Sequence, residues 1–98
     1  MSKASDKVNS QELYRAILTL KSEDECRRFF KDLCTIAELR AMEQRYDVAV
    51  LLDQGLVYSD ILERTGASSA TISRVNKCLN YGENGYQDVL RHMKEQKE

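Results

Sequence analysis

Tyr58–Tyr81, YSDILERTGASSATISRVNKCLNY, reads as a short helix, a tight turn and a longer helix. The spacing predicts the first helix over about Ser59–Thr65, with the Ser59 hydroxyl capping a free N–H group. Gly66 then makes the turn, because it carries no Cβ penalty at positive φ. Ser68 is a suitable N-cap for the second helix. Ile61 and Leu62, and then Ile72, Val75 and Leu79, recur at helical spacing and form one inward angle. Ser69, Ala70, Ser73, Arg74 and Lys77 are left pointing outward. Two helices locked by an apolar angle, the second one presented to solvent, make a helix-turn-helix over about residues 58–81.

The outward face has a definite chemistry. The second helix opens on small residues, so its backbone can come close to a groove wall. Its first N–H groups and positive dipole end favour a phosphate. Arg74 and Lys77 add positive charge further along, and no Asp or Glu stands between Gly66 and Gly82. Arginine can take a guanine through two hydrogen bonds, and serine or threonine can bond a base edge or a phosphate. The pattern points to double-stranded DNA. Two other readings use the same residues: an αα-hairpin that only builds a helical core, and a module that docks another protein. The net charge of −1 and the tyrosines Tyr58, Tyr81 and Tyr86 speak for the protein partner.

Outward from this motif, 98 residues suffice for one domain, Ser10 to Gln96, behind a polar tail over residues 1–9 that is expected to be flexible. No proline, four glycines and 32% charged residues suit an all-α fold. No apolar run approaches the ~20 residues of a membrane span. MSKASDKVNSQ lacks the apolar centre of a signal peptide, so a cytoplasmic location and no membrane partner are expected. Cys26, Cys34 and Cys78 are odd in number and without CxxC spacing, which excludes a disulfide framework and a zinc finger. They are expected as buried thiols, with redox sensing as the alternative. His92 has no ligand partners near it in sequence, so no metal site is expected. No paired acid and base, nucleophile motif, phosphate loop or cofactor site appears, so no enzyme and no cofactor are expected.

The remaining helices follow from periodicity and caps. Ser10 caps a helix over Gln11–Leu20 whose stripe is Leu13, Ala16, Ile17 and Leu20. Ser22 with Glu25 is a capping box, opening a helix with Cys26, Phe29, Phe30 and Leu33 on one face. Thr35 with Glu38 is a second capping box. It opens the longest helix, Ile36–Gln54, which Gly55 ends. Leu39, Met42, Tyr46, Ala49, Val50 and Leu52 wrap more than one side of it, as in a central helix. Gly82 and Gly85 form a terminator and a flexible joint. A last helix, about Tyr86–Lys94, carries Tyr86, Val89, Leu90 and Met93 ahead of a solvated KEQKE tail. Six helices result. The first three show more apolar surface than a small monomer covers, which a two-fold dimer would solve.

Asp32–Leu79 resembles the Trp repressor family, whose members dock a helix-turn-helix on DNA. The matching elements are DLCT at Asp32–Thr35, Arg45 in the long helix, LLxxG at Leu51–Gly55 and TGASSATISR at Thr65–Arg74. RFFKDLCT at Arg28–Thr35 and RVNKCLNYGENGY at Arg74–Tyr86 are similar to the YerC/YecD branch, and the likeness extends from about Leu13 to Met93. The resemblance implies an intertwined all-helical homodimer that represses transcription from a palindromic DNA operator. It implies base contacts for Ser68, Ser69, Ala70 and Thr71. It also implies that Arg45 and Arg74 stand where two arginines sandwich a corepressor indole. The residue after the second arginine is glycine in tryptophan binders and Val75 here, which argues against tryptophan. Arg74 is then a DNA contact or an effector contact. An effector-gated regulator, taking a small metabolite near Arg45 and Arg74, stays an alternative.

Overall fold

A computed structural model of the chain describes residues 11–97, and the expected tail and the Ser10 cap lie outside them. Six helices form among the described residues: α1 Gln11–Ile17, α2 Glu23–Leu33, α3 Ile36–Asp53, α4 Tyr58–Thr65, α5 Ser69–Tyr81 and α6 Gly85–Lys97. The fold is all-α, with no strand among the described residues. The helices group into two compact units, divided between Ile36 and Ala37.

In the first unit, α1 stops three residues before the expected Leu20. The Thr19 hydroxyl and N–H both donate to the carbonyl of Ala16, at 2.6 and 3.0 Å, and Leu20 N–H donates to Ile17. These shorter i→i+3 bonds tighten the chain out of the α-helical path. α2 begins as its cap requires: Ser22 Oγ accepts from Glu25 N–H at 3.0 Å. The expected reciprocal bond lands one residue earlier, Glu25 Oε1 accepting from Lys21 N–H at 2.7 Å. Phe29 and Phe30 meet edge to face, with ring centroids 5.6 Å apart. Neither helix buries a residue completely. Of the expected stripes, Leu13, Ala16 and Leu33 are exposed, while Ile17, Leu20, Cys26 and the phenylalanines are half-buried.

The second unit holds the core. α3 ends in a Schellman closure: Gly55 sits at φ 88°, its N–H donates to Leu52, and Leu56 N–H reaches back to Leu51 at 3.1 Å. Val48 and Ala49 from α3 pack with Ile61 from α4, Ala67 from the turn, and Ile72 and Val75 from α5. Leu51, Leu52, Leu56 and Tyr86 close around them. Complete burial of Val48, Ile61, Ile72 and Val75 stabilises by about 1.5–3 kcal/mol for each side chain. Val48, absent from the expected apolar set of α3, is at the centre of this core. Leu39, Met42, Tyr46, Val50 and Leu52 are only half-buried.

α6 differs from expectation at both ends. Gly85 is its first residue rather than a flexible joint. Asn84 supplies the bend at φ 69°, and its carbonyl accepts from Asp88 N–H at 2.9 Å. The helix also runs on through Lys97, with Arg91 bridging Asp88 and Glu95 one turn to either side. Leu90 is its buried anchor; Val89 and Met93, expected inside, are exposed. Gln87 donates to the carbonyl of Leu79 and so ties α6 to α5.

Candidate nucleic-acid interface

The interface is built from the turn outward. Gly66 takes the left-handed conformation, φ 72°, and its N–H donates to Leu62 at 2.8 Å, which ends α4. The Thr65 hydroxyl donates to Ile61 and accepts from Ala67 N–H, at 2.7 and 3.1 Å. Ala67 is buried at the elbow, where its small side chain lets the two helices approach. Ser68 Oγ then accepts from Thr71 N–H at 3.1 Å and starts α5.

The start of α4 departs from expectation. Its N-cap is Val57, and Ser59 lies inside the first turn without the expected capping role. The Schellman closure at Gly55 and Leu56 leaves Val57 as the one residue before the helix, so the register begins one place early. Leu62, expected inward, is 47% exposed. On so short a helix Ile61 takes the inward position, and the next residue is turned by about 100°.

On α5 the same rotation sorts the residues cleanly. Ile72, Val75 and Leu79 are buried. Ala70, Ser73, Arg74 and Lys77 lie on the opposite side, all exposed, with exposed Ser69 beside them. Tyr81, 86% exposed, continues this stripe. It is a residue that the sequence reading leaves out of the interface, although its spacing from Arg74 and Lys77 signals it. Ser68 and Thr71 are differently placed: the Ser68 hydroxyl donates to Thr71 Oγ1 at 3.1 Å, so the two hydroxyls are engaged with each other at the cap. Cys78 is exposed, not buried as expected, because it falls outside the Ile72–Val75–Leu79 stripe; Cys26 and Cys34 are half-buried.

The charges on this face are available. Some cations of the outer helices are paired, Arg28 with Asp24 at 2.9 Å, Arg91 with Asp88 at 3.2 Å and Lys94 with Asp53 at 2.8 Å, whereas Arg27, Lys31, Arg64 and Lys97 make no ion pair among the described residues. Among the described residues, Arg74 and Lys77 make no ion pair, and the first turn of α5 holds no acid. A helix that presents small side chains, unpaired cations and its positive end together can accept a polyanion edge-on.

The family model described as Trp repressor protein matches residues 9–94. The chain belongs to the Trp repressor family. It is 50% identical over 93 residues to the uncharacterised protein YerC of Bacillus subtilis strain 168, covering 92% of this chain and 89% of that one. A crystal structure of a TrpR-like protein from Eubacterium eligens ATCC 27750 superposes with a TM-score of 0.83 at 50% identity, over 86% of this chain and 87% of the other. A crystal structure of a putative Trp repressor from Staphylococcus aureus gives the same TM-score at 45% identity, over 86% and 84%. The Trp repressor family is one of helix-turn-helix regulators rather than enzymes.

Within this Trp repressor-type chain the two arginines of the expected effector site are placed unequally: Arg45 is half-buried on α3 and Arg74 exposed on α5. Neither lines either of two concavities in the second unit. One, about 400 Å³, lies among Asp53, Asn76, Asn80, Gln87, Arg91 and Lys94. The other, about 250 Å³, lies among Asp47, Val50, Leu51, Arg64 and Thr65. Val75 is 1% exposed and part of the core. A residue that the sequence does not single out also belongs to this region: Gln44 of α3 donates from Nε2 to the carbonyl of Thr65 at 3.1 Å. No helix among the described residues is long and apolar enough to cross a membrane.

Proposed function

We propose that this chain is a sequence-specific DNA-binding regulator of transcription, a repressor, that acts as an intertwined homodimer on a palindromic operator. One observation carries the reading: the outer stripe of α5, Ala70, Ser73, Arg74 and Lys77, is exposed, acid-free and unpaired directly opposite its buried stripe. Ala70 and Ser73 keep the helix slim enough for a major groove. Ser69 and Ser73 reach base edges, and Arg74 and Lys77 reach guanine or phosphate. Ser68 and Thr71 act mainly by holding the first turn of α5, which leaves the N–H groups of Ser69 and Ala70 to offer an anion site. A dimer is supported by the apolar side chains left exposed on the first unit, Leu13, Tyr14, Leu18 and Leu33.

The reading needs no tryptophan. Val75 fills the core where a tryptophan binder has glycine, so Arg74 serves the DNA rather than an indole. Selection of bound sequences from random duplexes tests the proposal. The expected result is a two-fold symmetric motif, recovered equally with and without tryptophan. A pool that shows no enrichment over its starting composition would end the reading.

A further inference from the structure

The polar groups at the turn between α4 and α5 are held mostly by near neighbours, but one bond spans 21 residues: Gln44 Nε2 donates to the carbonyl of Thr65. Thr65 is the last residue of α4. Because Gly66 turns the chain left-handed there, no following N–H of a continuing helix takes that carbonyl. The site is partly buried, where a carbonyl must find a partner. Gln44 is that partner. The same Thr65 holds Ala67 N–H through its hydroxyl, and Ala67 directly precedes the Ser68 cap of α5. A continuous path of bonds therefore runs from α3 through Thr65 to the first turn of α5.

The apolar contacts along this path cannot do the same work. Val48 and Ala49 pack against Ile61 and Ala67, but the hydrophobic driving force between them is non-directional. A hydrogen bond of 3.1 Å is directional and fixes the rotation. The requirement is for a donor: a carboxylate of the same length would present only acceptors.

We propose that Gln44 is a positioning residue for α5: its amide sets the pitch at which α5 is held against α3, so that the DNA-accepting pose is built into the free chain and awaits no ligand. This rests on the DNA-binding reading above. Gln44→Met tests it, since methionine keeps the length and the apolar stem, removes the donor and adds no charge. Amide hydrogen exchange is followed in the intact chain, alongside titration of a selected duplex. In Gln44→Met, exchange at Gly66 and Ala67 rises roughly fivefold, as expected for a bond of ordinary net strength, while exchange in the interiors of α3 and α6 is unchanged. Affinity for the duplex falls by at most about the same factor, through a smaller competent fraction. The salt slope stays as it is in the unaltered chain, because no phosphate contact is lost. Gln44→Lys, which restores a donor, returns exchange at Ala67 towards the original value.

Exchange that is unchanged, or that rises evenly through α3–α6, overturns the proposal, as does a Gln44→Met chain that no longer folds. If the unaltered chain binds no duplex at all, the regulator reading falls; the exchange comparison then still decides whether Gln44 holds the turn.

Discussion

Lys77 and Arg74 stand one turn apart on the exposed side of α5 without ion-pair partners among the described residues, and their substitution should have different consequences. A lysine acts on a phosphate as a point charge, so Lys77→Ala is expected to weaken binding to every sequence alike. It should also reduce the slope of log affinity against log salt by about one. Arg74→Ala, if the guanidinium forks onto a guanine, costs about 1–3 kcal/mol at one base position and relaxes preference there. Titration of a duplex panel at several salt concentrations separates the two. Gly66→Ala isolates a different term. A Cβ there meets nothing within 4 Å, so the cost comes from φ 72° alone. Stability should fall by about 1–2 kcal/mol in urea unfolding, with no loss of packing. These residues are legible in the sequence because a turn glycine, a capping serine and an exposed cation act through their immediate neighbours. Gln44 is not, since its partner Thr65 is fixed only by the tertiary fold. Tyr81 lies between the two: its spacing places it on the stripe, but an aromatic at a helix end has an equally good place in a core.

The helices themselves divide by what terminates them. Ser22, Gly55, Gly66 and Ser68 act within a single turn, and each ends or begins a helix where its chemistry requires. The start of α4 escapes such reasoning because Leu56 donates back to Leu51, a closure belonging to the preceding helix. The end of α1 escapes it because the Thr19 hydroxyl competes for the carbonyl of Ala16. Burial on α3 is harder still. Apolar residues lie all round it, so periodicity gives no reason to choose Val48 over Leu39 or Tyr46. The choice is made by Ile61 and Ile72 arriving from other helices. That competition yields a paired prediction on α4. Ile61→Ala removes a fully buried side chain and should destabilise the chain by about 2–5 kcal/mol. Leu62→Ala, one residue on and 47% exposed, should stay within about 0.5 kcal/mol. Chemical denaturation of both variants checks it, and equal losses would mean that α4 presents another face to the core.

The proposed homodimer would give the first unit a purpose. Its helices bury no residue completely, Leu18 stands 84% exposed, and Leu13, Tyr14 and Leu33 are exposed as well. Apolar side chains left in water at this density favour self-association. Two copies related by a two-fold axis would also bring two α5 helices to one duplex, on half-sites about 34–36 Å apart. Sedimentation at micromolar concentration should therefore give about twice the 11.3 kDa chain mass, and the melting temperature should rise with protein concentration, as it does when folding and association are linked. Replacing both Leu18 and Leu33 by lysine should shift the population to monomer while leaving the second unit, with its separate core of Val48, Ile61, Ile72 and Val75, folded. Such a monomer keeps the outer stripe of α5 and hence weak, salt-sensitive binding to any duplex. What it loses is the advantage of a palindrome over a single half-site, because the second contact no longer follows at the effective concentration that linkage provides. A monomeric variant that still preferred the palindrome as strongly as the unaltered chain would show that symmetry in the DNA is not read by symmetry in the protein.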